Sequence, residues 1–570
     1  MTFTPLRERV ADLLRSALQA AQAAGDLPPF DIPEPLPVET ARHAAHGDYA
    51  SPVCLGLARI VRRAPLQIAQ AVIPHLPAVD FIAGAEAVAP GYINFTLSEP
   101  WLAVQVAAVL AAGESWGNVA LGQGQRVQVE FVSANPTGPI TIGSARNAVI
   151  GDTVASVLSA AGYQVEREYY VNDAGSKARK LAVSVFNKYA ELLAAPVALD
   201  EETYPGAYIT VMAENLVAAA GRRYLEQEPE AALREIMRWA IEQVLVTVEE
   251  DLACLRVHFD TWRHERDLYT PAAAGQPSLF DQRLEVLRAA GYITEKDGAT
   301  WFTHPDLDKD AVLIRSAQVI PNPEDRPTYL ASDIAYVWDK LVLRGFDRAI
   351  YVWGADHHGD VPRLYAVTKA QGLDPERVGI ILYQMVTLLR GGEEVRMSKS
   401  SGEFVTLRDL VDEVGPDPIR YMMLTRTVDV TLDFDLDLAV EQSDQNPVYS
   451  VQYAHTRIAG VLRKAAELGL ALDAPADLAL LTHPSELALI RKLLLLPEVI
   501  TLAASAVAPH HLTLYATELG ALFHAFYRDC RIADPDNLPL TYARLTLARA
   551  AKNVLARVLH LMGMDAPDRM

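Results

Sequence analysis

Three polar clusters in this sequence carry residue types that do chemistry. Asn172-Asp173-Ala174-Gly175 follows the apolar run Tyr169–Val171, and Asp356-His357-His358-Gly359 follows Ile350–Trp353. Arg396-Met397-Ser398-Lys399-Ser400 lies in a Ser/Gly-rich stretch. One Lys with Ser hydroxyls and backbone N–H donors is what a phosphate clamp needs, a point charge and several donors. Such a loop standing alone is better read as solvated surface. A fourth stretch, Ser133–Ser144, is rich in Asn, Pro, Thr and Gly. It joins a strand pattern (Val127, Val129 and Phe131 alternating with Gln128 and Glu130) to a helix pattern from Ile142 to Leu158. The strand is expected to have one buried face, and the helix to end at Gly162. Free N–H groups and the dipole at the helix start favour an anion, and Gly143 lets a nucleotide approach the backbone.

Each cluster needs an element to aim it. In open parallel α/β sheets, ligands gather beyond the carboxyl ends of strands, and the clusters at 172–175 and 356–359 both end predicted strands. One such cluster is ordinary turn chemistry; several on one sheet point to a site. Residues from about 176 to 305 read as helical, a large insertion closed by strands Tyr292–Thr294 and Thr300–Phe302. Val312–Arg315 and Thr328–Asp333 resume the second half, followed by a helix to Lys340. Ile380–Val386 is a further apolar strand. Ahead of all this, Leu6–Ala24 reads as an amphipathic helix and Phe81–Leu97 as two short strands. From Asn446 onward the spacing is helical, with aromatic and basic residues interleaved at Tyr449, Tyr453 and Arg457. A packed core and an RNA-stacking surface would use the same residue types.

The fold expected is therefore α/β. A Rossmann-type parallel-sheet catalytic domain (116–425, with the helical insertion at about 176–305) is flanked by an α+β N-terminal domain (1–115) and an all-α C-terminal bundle (426–570). The chain has 570 residues, enough for about three or four domains. No apolar run is long enough for a signal peptide or a membrane span. The three cysteines are far apart and lack metal-ligand spacing, which argues for a reducing compartment and against a zinc site. The net charge of −21 is uneven: from Asn446 on there are 12 Lys and Arg against 11 Asp and Glu, so −22 rests on the rest. A near-neutral C-terminal unit is compatible with local basic patches.

Taken together these strings resemble a class I aminoacyl-tRNA synthetase, of the bacterial arginyl type, over nearly the whole chain. Ser133–Pro139 with Ile142-Gly143 and Ala145-Arg146 is similar to the family's first signature, and Arg396–Ser400 to its second, Lys-Met-Ser-Lys-Ser. Tyr170–Gly175, Trp353–Gly359, Asp433-Phe434-Asp435 and Asn446–Tyr449 are arginyl-type strings. His46–Ala50 with Pro90–Phe95 resembles the N-terminal domain that touches the tRNA elbow.

The resemblance implies a cytoplasmic, monomeric ligase without membrane contact, acting on L-arginine, ATP with Mg²⁺, and tRNA(Arg). It implies activation through an arginyl-adenylate, with tRNA bound even for that step. Catalytic positions carry over to Thr141, Ser144, Ser398 and Lys399. ATP-binding positions carry over to Gly138, Pro139, Gly143, Asp356, His357, His358, Arg396, Met397 and Lys399. Arginine-binding positions carry over to Glu130, Asn135, Tyr329 and Asp333. A guanidinium has five donors and no acceptor, so its site must supply carboxylates and carbonyls. Glu130 and Asp333 fit on that ground alone, although Glu130 at mid-strand could instead face solvent. Contacts to tRNA are implied for Tyr49, Tyr92, Asn94, Tyr449, Tyr453, Arg457 and Met570.

Two departures stand out. Thr141 and Ser144 occupy the places of the two signature histidines, and Arg396 that of the first signature lysine. Hydroxyls donate hydrogen bonds but carry no charge. Lys177, just past the Asn-Asp-Ala-Gly turn, adds a cation where the family usually has none. The competing reading is a tRNA-binding paralogue without catalysis, for which the missing histidines are the support.

Overall fold

The computed structural model describes residues 1–41, 43–195, 199, 201–320, 322–395 and 405–570. Its central sheet has five parallel strands: β1 (Arg126–Glu130), β2 (Gln164–Val171), β3 (Thr261–His264), β4 (Arg348–Gly354) and β5 (Val378–Tyr383). Their spatial order is β5-β4-β1-β2-β3. The chain builds outward from β1 through β2 to β3, then returns to the other side of β1 at β4. Segments leaving β1 and β4 therefore diverge and open a crevice at their carboxyl ends. Glu130 and Tyr351 are register partners at this switch point.

Both faces of β1 are covered: Val127, Gln128, Val129 and Glu130 are all buried. The alternating pattern in the sequence does not mark a solvent face, because helices pack on both sides of a parallel sheet. Helix α1 (Ile142–Ala160) is one of them, and most of its residues are buried. Ala161 and Gly162 close it, Gly162 at φ +89° with its N–H bonded to the Ser159 carbonyl. Arg146, fully buried, donates to the carbonyls of Gln384, Val430 and Thr427 and so ties α1 to the far side of the domain.

Three expectations need correction. The run from 176 to 305 is not all helical. After helices α2 (Ser176–Leu192) and α3 (Pro229–Cys254), Thr261–His264 re-enters the parallel sheet beside β2. Its four residues, Thr-Trp-Arg-His, are too short and too polar to announce a buried strand. The stretch Ala311–Ile314 pairs antiparallel with Ala299–Phe302 in a separate small sheet, rather than resuming the parallel one. The apolar run 380–386 is broken at Gln384: β5 ends at Tyr383, and Val386–Arg390 pairs with Leu432–Asp435 in another sheet.

Helix α4 begins at Tyr329 and runs to Trp338, then opens into one π-helical turn, Asp339–Leu343. N-terminal residues form a four-stranded antiparallel sheet with helix Leu6–Ala23. The C-terminal bundle comprises α5 (Pro447–Glu467), α6 (Pro484–Leu494), α7 (Leu496–Ser505), α8 (His510–Asp529) and α9 (Leu538–Leu561). Asn446 caps α5 by accepting from the Val448 and Tyr449 N–H groups. Among the described residues no helix is long and apolar enough to cross a membrane.

Gly151 is where α1 presses closest on β1: a Cβ there would sit 2.2 Å from Phe131 Cγ. Gly151→Ala should overpack this contact and lower stability by about 1–3 kcal/mol. Urea unfolding checks it, and an unchanged midpoint would mean that the helix can slide.

Candidate active site

The crevice is shaped first by backbone. Immediately after β1, Val132 (φ +64°) and Ser133 (φ +41°) both take left-handed conformations. For a β-branched residue this is costly, of order 1–3 kcal/mol, and persists only where surroundings over-determine it. Here they do. Asn147 Oδ1 accepts from the Val132 N–H at 2.6 Å, and Asn147 Nδ2 donates to the Val352 carbonyl on β4. Ser133 Oγ accepts from the Tyr170 N–H at 3.1 Å, and the Ser133 carbonyl accepts from Asn172 Nδ2 at 2.9 Å. The loop from Ala134 to Thr137 is thereby thrown across the ends of β1 and β2. Tyr169 and Tyr208 hydroxyls hold the Ala134 and Thr137 carbonyls.

Helix α4 forms the facing wall. Tyr329, Asp333, Tyr336 and Lys340 recur at spacings of four, three and four residues and share one side. Tyr329 is half exposed, and its hydroxyl lies 3.5 Å from Asn135 Oδ1. Among the described residues Asp333 has no hydrogen-bond or ion-pair partner. Burial, and then the charges of Glu130 and Asp360, push its carboxyl up to about 8. Glu130, expected to lie open toward a guanidinium, is instead engaged. Its Oε2 is 2.5 Å from Lys340 Nζ, and its Oε1 accepts from Ser133 Oγ at 3.3 Å. The solvent-facing alternative also fails, since Glu130 is only 6% exposed.

Beneath this wall lies a network that the sequence reading missed. Glu168, fully buried on β2, accepts from the Tyr336 hydroxyl and pairs with Arg344. Arg344 also pairs with Glu166 at 2.6 Å, while Asp339 meets Arg263 and Arg344. On the other flank, Asp173 accepts from His264 and from the Arg266 N–H. Glu265, pushed up to about 7 by burial, accepts from Ser332. A Lys and an Asp set between Trp338 and Leu341 were the available clue: charges within an apolar helical stretch need buried partners.

A cavity of about 840 Å³ opens from Asn135 and Tyr329 over Asn172 and Lys177 toward α3. Lys177 lies over the Tyr329 ring at 5.7 Å. Across the crevice stands the start of α1. Thr141 is its N-cap residue, but its side chain caps nothing. Its backbone bridges to Thr406, and the Ile140 carbonyl accepts from the Leu407 N–H. The segment carrying Arg396, Met397, Ser398 and Lys399 lies outside the described residues, but the chain just beyond it is fastened against Thr141. Ser144 is half-buried, and its N–H closes the first helical turn on the Thr141 carbonyl. The Gly143 carbonyl accepts from Tyr383 at the end of β5. Asp356, His357 and His358 follow β4 on an exposed 3₁₀ turn. His357 lies 3.3 Å from Asp360, whose hydrogen bond raises the imidazole.

Of the residues assigned to tRNA by resemblance, Tyr49 and Asn94 are buried, at 2% and 7% exposure. Tyr49 is corrected from an RNA contact to a fastener, its hydroxyl 2.5 Å from Glu498 on α7. Asn94 sits inside the N-terminal sheet, paired on both sides in the ladder. Tyr92 remains partly exposed. On α5, Tyr449 and Tyr453 stack at 5.7 Å and 9°, His524 continues the stack, and Arg457 lies over Tyr453 and Tyr527. Met570 is exposed.

Comparison with known proteins bears on the whole chain. Residues 8–97 match the arginyl-tRNA synthetase N-terminal domain, 105–432 the class I tRNA synthetase (R) catalytic domain, and 451–570 the DALR anticodon-binding domain. The arginine–tRNA ligase of Dehalococcoides mccartyi is 42% identical over 567 residues, covering 99% of each chain. That of Heliobacterium modesticaldum is 42% identical over 573 residues, again 99% of each. In structure, the Thermus thermophilus arginyl-tRNA synthetase aligns with a TM-score of 0.73 at 23% identity, over 99% of this chain and all of that one. The Plasmodium falciparum enzyme aligns at 0.76 and 15%, over all of both chains.

The raised Asp333 carboxyl has a consequence for stability without ligand. A group whose folded value lies above its unfolded one gives its full contribution below the unfolded value, near 4. That contribution is lost as pH rises through about 8. Asp333→Asn should therefore match the parent below pH 4 and become progressively more stable than it from pH 5 to pH 8.5. Melting temperatures across that range check this, and a pH-independent difference would refute it.

Proposed function

Because this chain belongs to the class I arginyl-tRNA synthetases and joins arginine to tRNA with ATP, we propose that both steps of the reaction run in the switch-point crevice through an arginyl-adenylate. The observation that carries this reading is Asp333: a largely enclosed carboxyl with no hydrogen-bond or ion-pair partner among the described residues, on the helix that begins at Tyr329, whose hydroxyl lies 3.5 Å from Asn135. A guanidinium fits it, since its planar fork gives two parallel charge-assisted hydrogen bonds to one carboxylate. Arginine would enter with its side chain along α4, leaving its carboxylate near Asn135 and toward the start of α1.

ATP would lie across the opposite wall. Gly138, Pro139 and Gly143 admit it close to the backbone. The α1 N–H groups, Thr141 and Ser144 face its phosphates, with Asp356, His357 and His358 on the β4 side. Arg396, Met397, Ser398 and Lys399 would complete the clamp. An arginine carboxylate oxygen attacks the α-phosphorus as the bond to the β-phosphate oxygen breaks, and Lys399 steadies the departing pyrophosphate. A terminal ribose hydroxyl of tRNA then attacks the adenylate carbonyl, the AMP oxygen leaves, and the hydroxyl proton goes with it or to water. Among the described residues no three His, Cys, Asp or Glu side chains converge on one point. Mg²⁺ would enter with ATP.

Activation is proposed to require bound tRNA(Arg). Tyr92 offers the elbow contact, Tyr449, Tyr453 and Arg457 the stacking face, and Met570 a contact at the chain end. Residues 1–115, 116–425 and 426–570 are read as the elbow-binding, catalytic and anticodon-binding units of a cytoplasmic monomer free of membranes.

The test is arginine-dependent exchange of pyrophosphate into ATP, with and without tRNA. Exchange only with tRNA is expected. Lys399→Ala should slow it on the order of 10²-fold, while Thr141→His with Ser144→His should change it only modestly. No exchange with tRNA still bound would sink the catalytic reading and leave an RNA-binding paralogue.

A further inference from the structure

Lys177 lines the cavity beside the crevice together with Asn135 and Tyr329. It stands exposed in the first turn of α2, and its ammonium lies over the Tyr329 ring at 5.7 Å. Among the described residues it makes no hydrogen bond or ion pair. Helix stability does not account for it, since a cation in the first turn works against the helix dipole. A cation over an exposed ring is held weakly, and an anion offers it a stronger, charge-assisted contact.

The surroundings leave that contact open. Two acids of the same cavity are met by other residues, Asp173 by His264 and Arg266 and Glu230 by Arg179. On one side Lys177 adjoins Tyr329 and Asn135, where the carboxylate end of arginine is placed. On the other side its charge acts on His357, opposing the rise that Asp360 gives that imidazole. The ammonium is therefore within electrostatic reach of both the arginine side and the ATP side of the crevice.

Activation brings a carboxylate against a phosphate, and two anions approach only where positive charge meets them. At the start of α1 this chain offers the hydroxyls of Thr141 and Ser144, which donate hydrogen bonds but carry no charge. We propose that Lys177 is a catalytic residue of the activation step: its ammonium contacts a non-bridging oxygen of the α-phosphate and supplies the charge that Thr141 and Ser144 lack. The carboxylate oxygen bonds to phosphorus as the bond to the β-phosphate oxygen breaks. The electron pair leaves with pyrophosphate, and Lys177 keeps its proton throughout. This rests on the reading of the crevice as the place where arginyl-adenylate forms.

The experiment follows pyrophosphate exchange by the full-length enzyme at saturating arginine, ATP and tRNA. Dissociation constants for arginine and tRNA and melting temperatures are measured alongside. Lys177→Gln should lower the exchange kcat on the order of 10²-fold. Both dissociation constants should stay within about twofold, and the melting temperature should not move. Lys177→Arg, which keeps the charge, should remain within about tenfold of the parent. Thr141→His with Ser144→His, added to Lys177→Gln, should recover about tenfold or more, although the same pair changes the parent only modestly.

Unchanged exchange in Lys177→Gln would overturn the proposal. So would a loss confined to arginine or tRNA affinity, which would make Lys177 a carboxylate or RNA contact. A histidine pair that helps the variant no more than the parent would overturn it too. An equal loss in Lys177→Arg, with a lowered melting temperature in both variants, would make the residue structural. Absence of exchange in the parent is a different failure, since it removes the reading of the crevice itself.

Discussion

A carboxylate cannot stay charged inside a sheet covered on both faces unless a cation or a set of donors meets it, and much of this domain answers that constraint. Glu130 and Glu168 project from neighbouring buried strands. Their counter-charges, Lys340 and Arg344, come from the one irregular turn that follows α4. A straight α-helix would place 340 and 344 on one line. The π-turn lets Lys340 reach under β1 while Arg344 reaches β2. Removing one member of such a buried pair typically costs about 3–5 kcal/mol, whereas the intact pair adds little over apolar packing. The network is therefore better understood as positioning than as stabilisation. Asp333 is the exception: among the described residues its carboxyl has no hydrogen-bond or ion-pair partner, and burial raises it to about 8.

The same logic links the outer parts of the chain. Glu498 on α7 is buried, and its carboxyl is raised by burial; it is met by Tyr49 and Arg7 from the N-terminal residues. Arg491 on α6 pairs with Asp48 at 2.6 Å, and Trp116 donates to the Leu493 carbonyl. The motif His46–Ala50 thus acts as a fastener between the two ends of the chain.

Replacement of two signature imidazoles by hydroxyls is easier to accommodate given how the α1 terminus is built. Among the described residues the Thr141 side chain caps no helical N–H, and of the first-turn donors the Ser144 N–H is bonded to the Thr141 carbonyl. The chain leaving the second signature is pinned to Ile140 and Thr141 by backbone hydrogen bonds. Lys177 brings a cation to the cavity from the β2 side.

The sequence by itself determined the parts that repeat a local rule. The strand, loop and helix from 126 to 160, the helical spacing of the C-terminal bundle and the hairpin at 82–97 all follow from period and turn residues. The polar clusters at strand ends, with their order along the chain, were enough to identify the family and the reaction. Tertiary structure alone decided what each polar side chain meets. It turned Tyr49 and Asn94 inward, gave Glu130 to Lys340, and left Asp333 without a partner among the described residues. It also drew Thr261–His264 into the sheet as a fifth strand. The reason is physical: periodicity records which side of an element is apolar, but a charge's partner lies across the fold, at 210 residues' separation for Glu130 and Lys340. Only the closed sheet brings such pairs together.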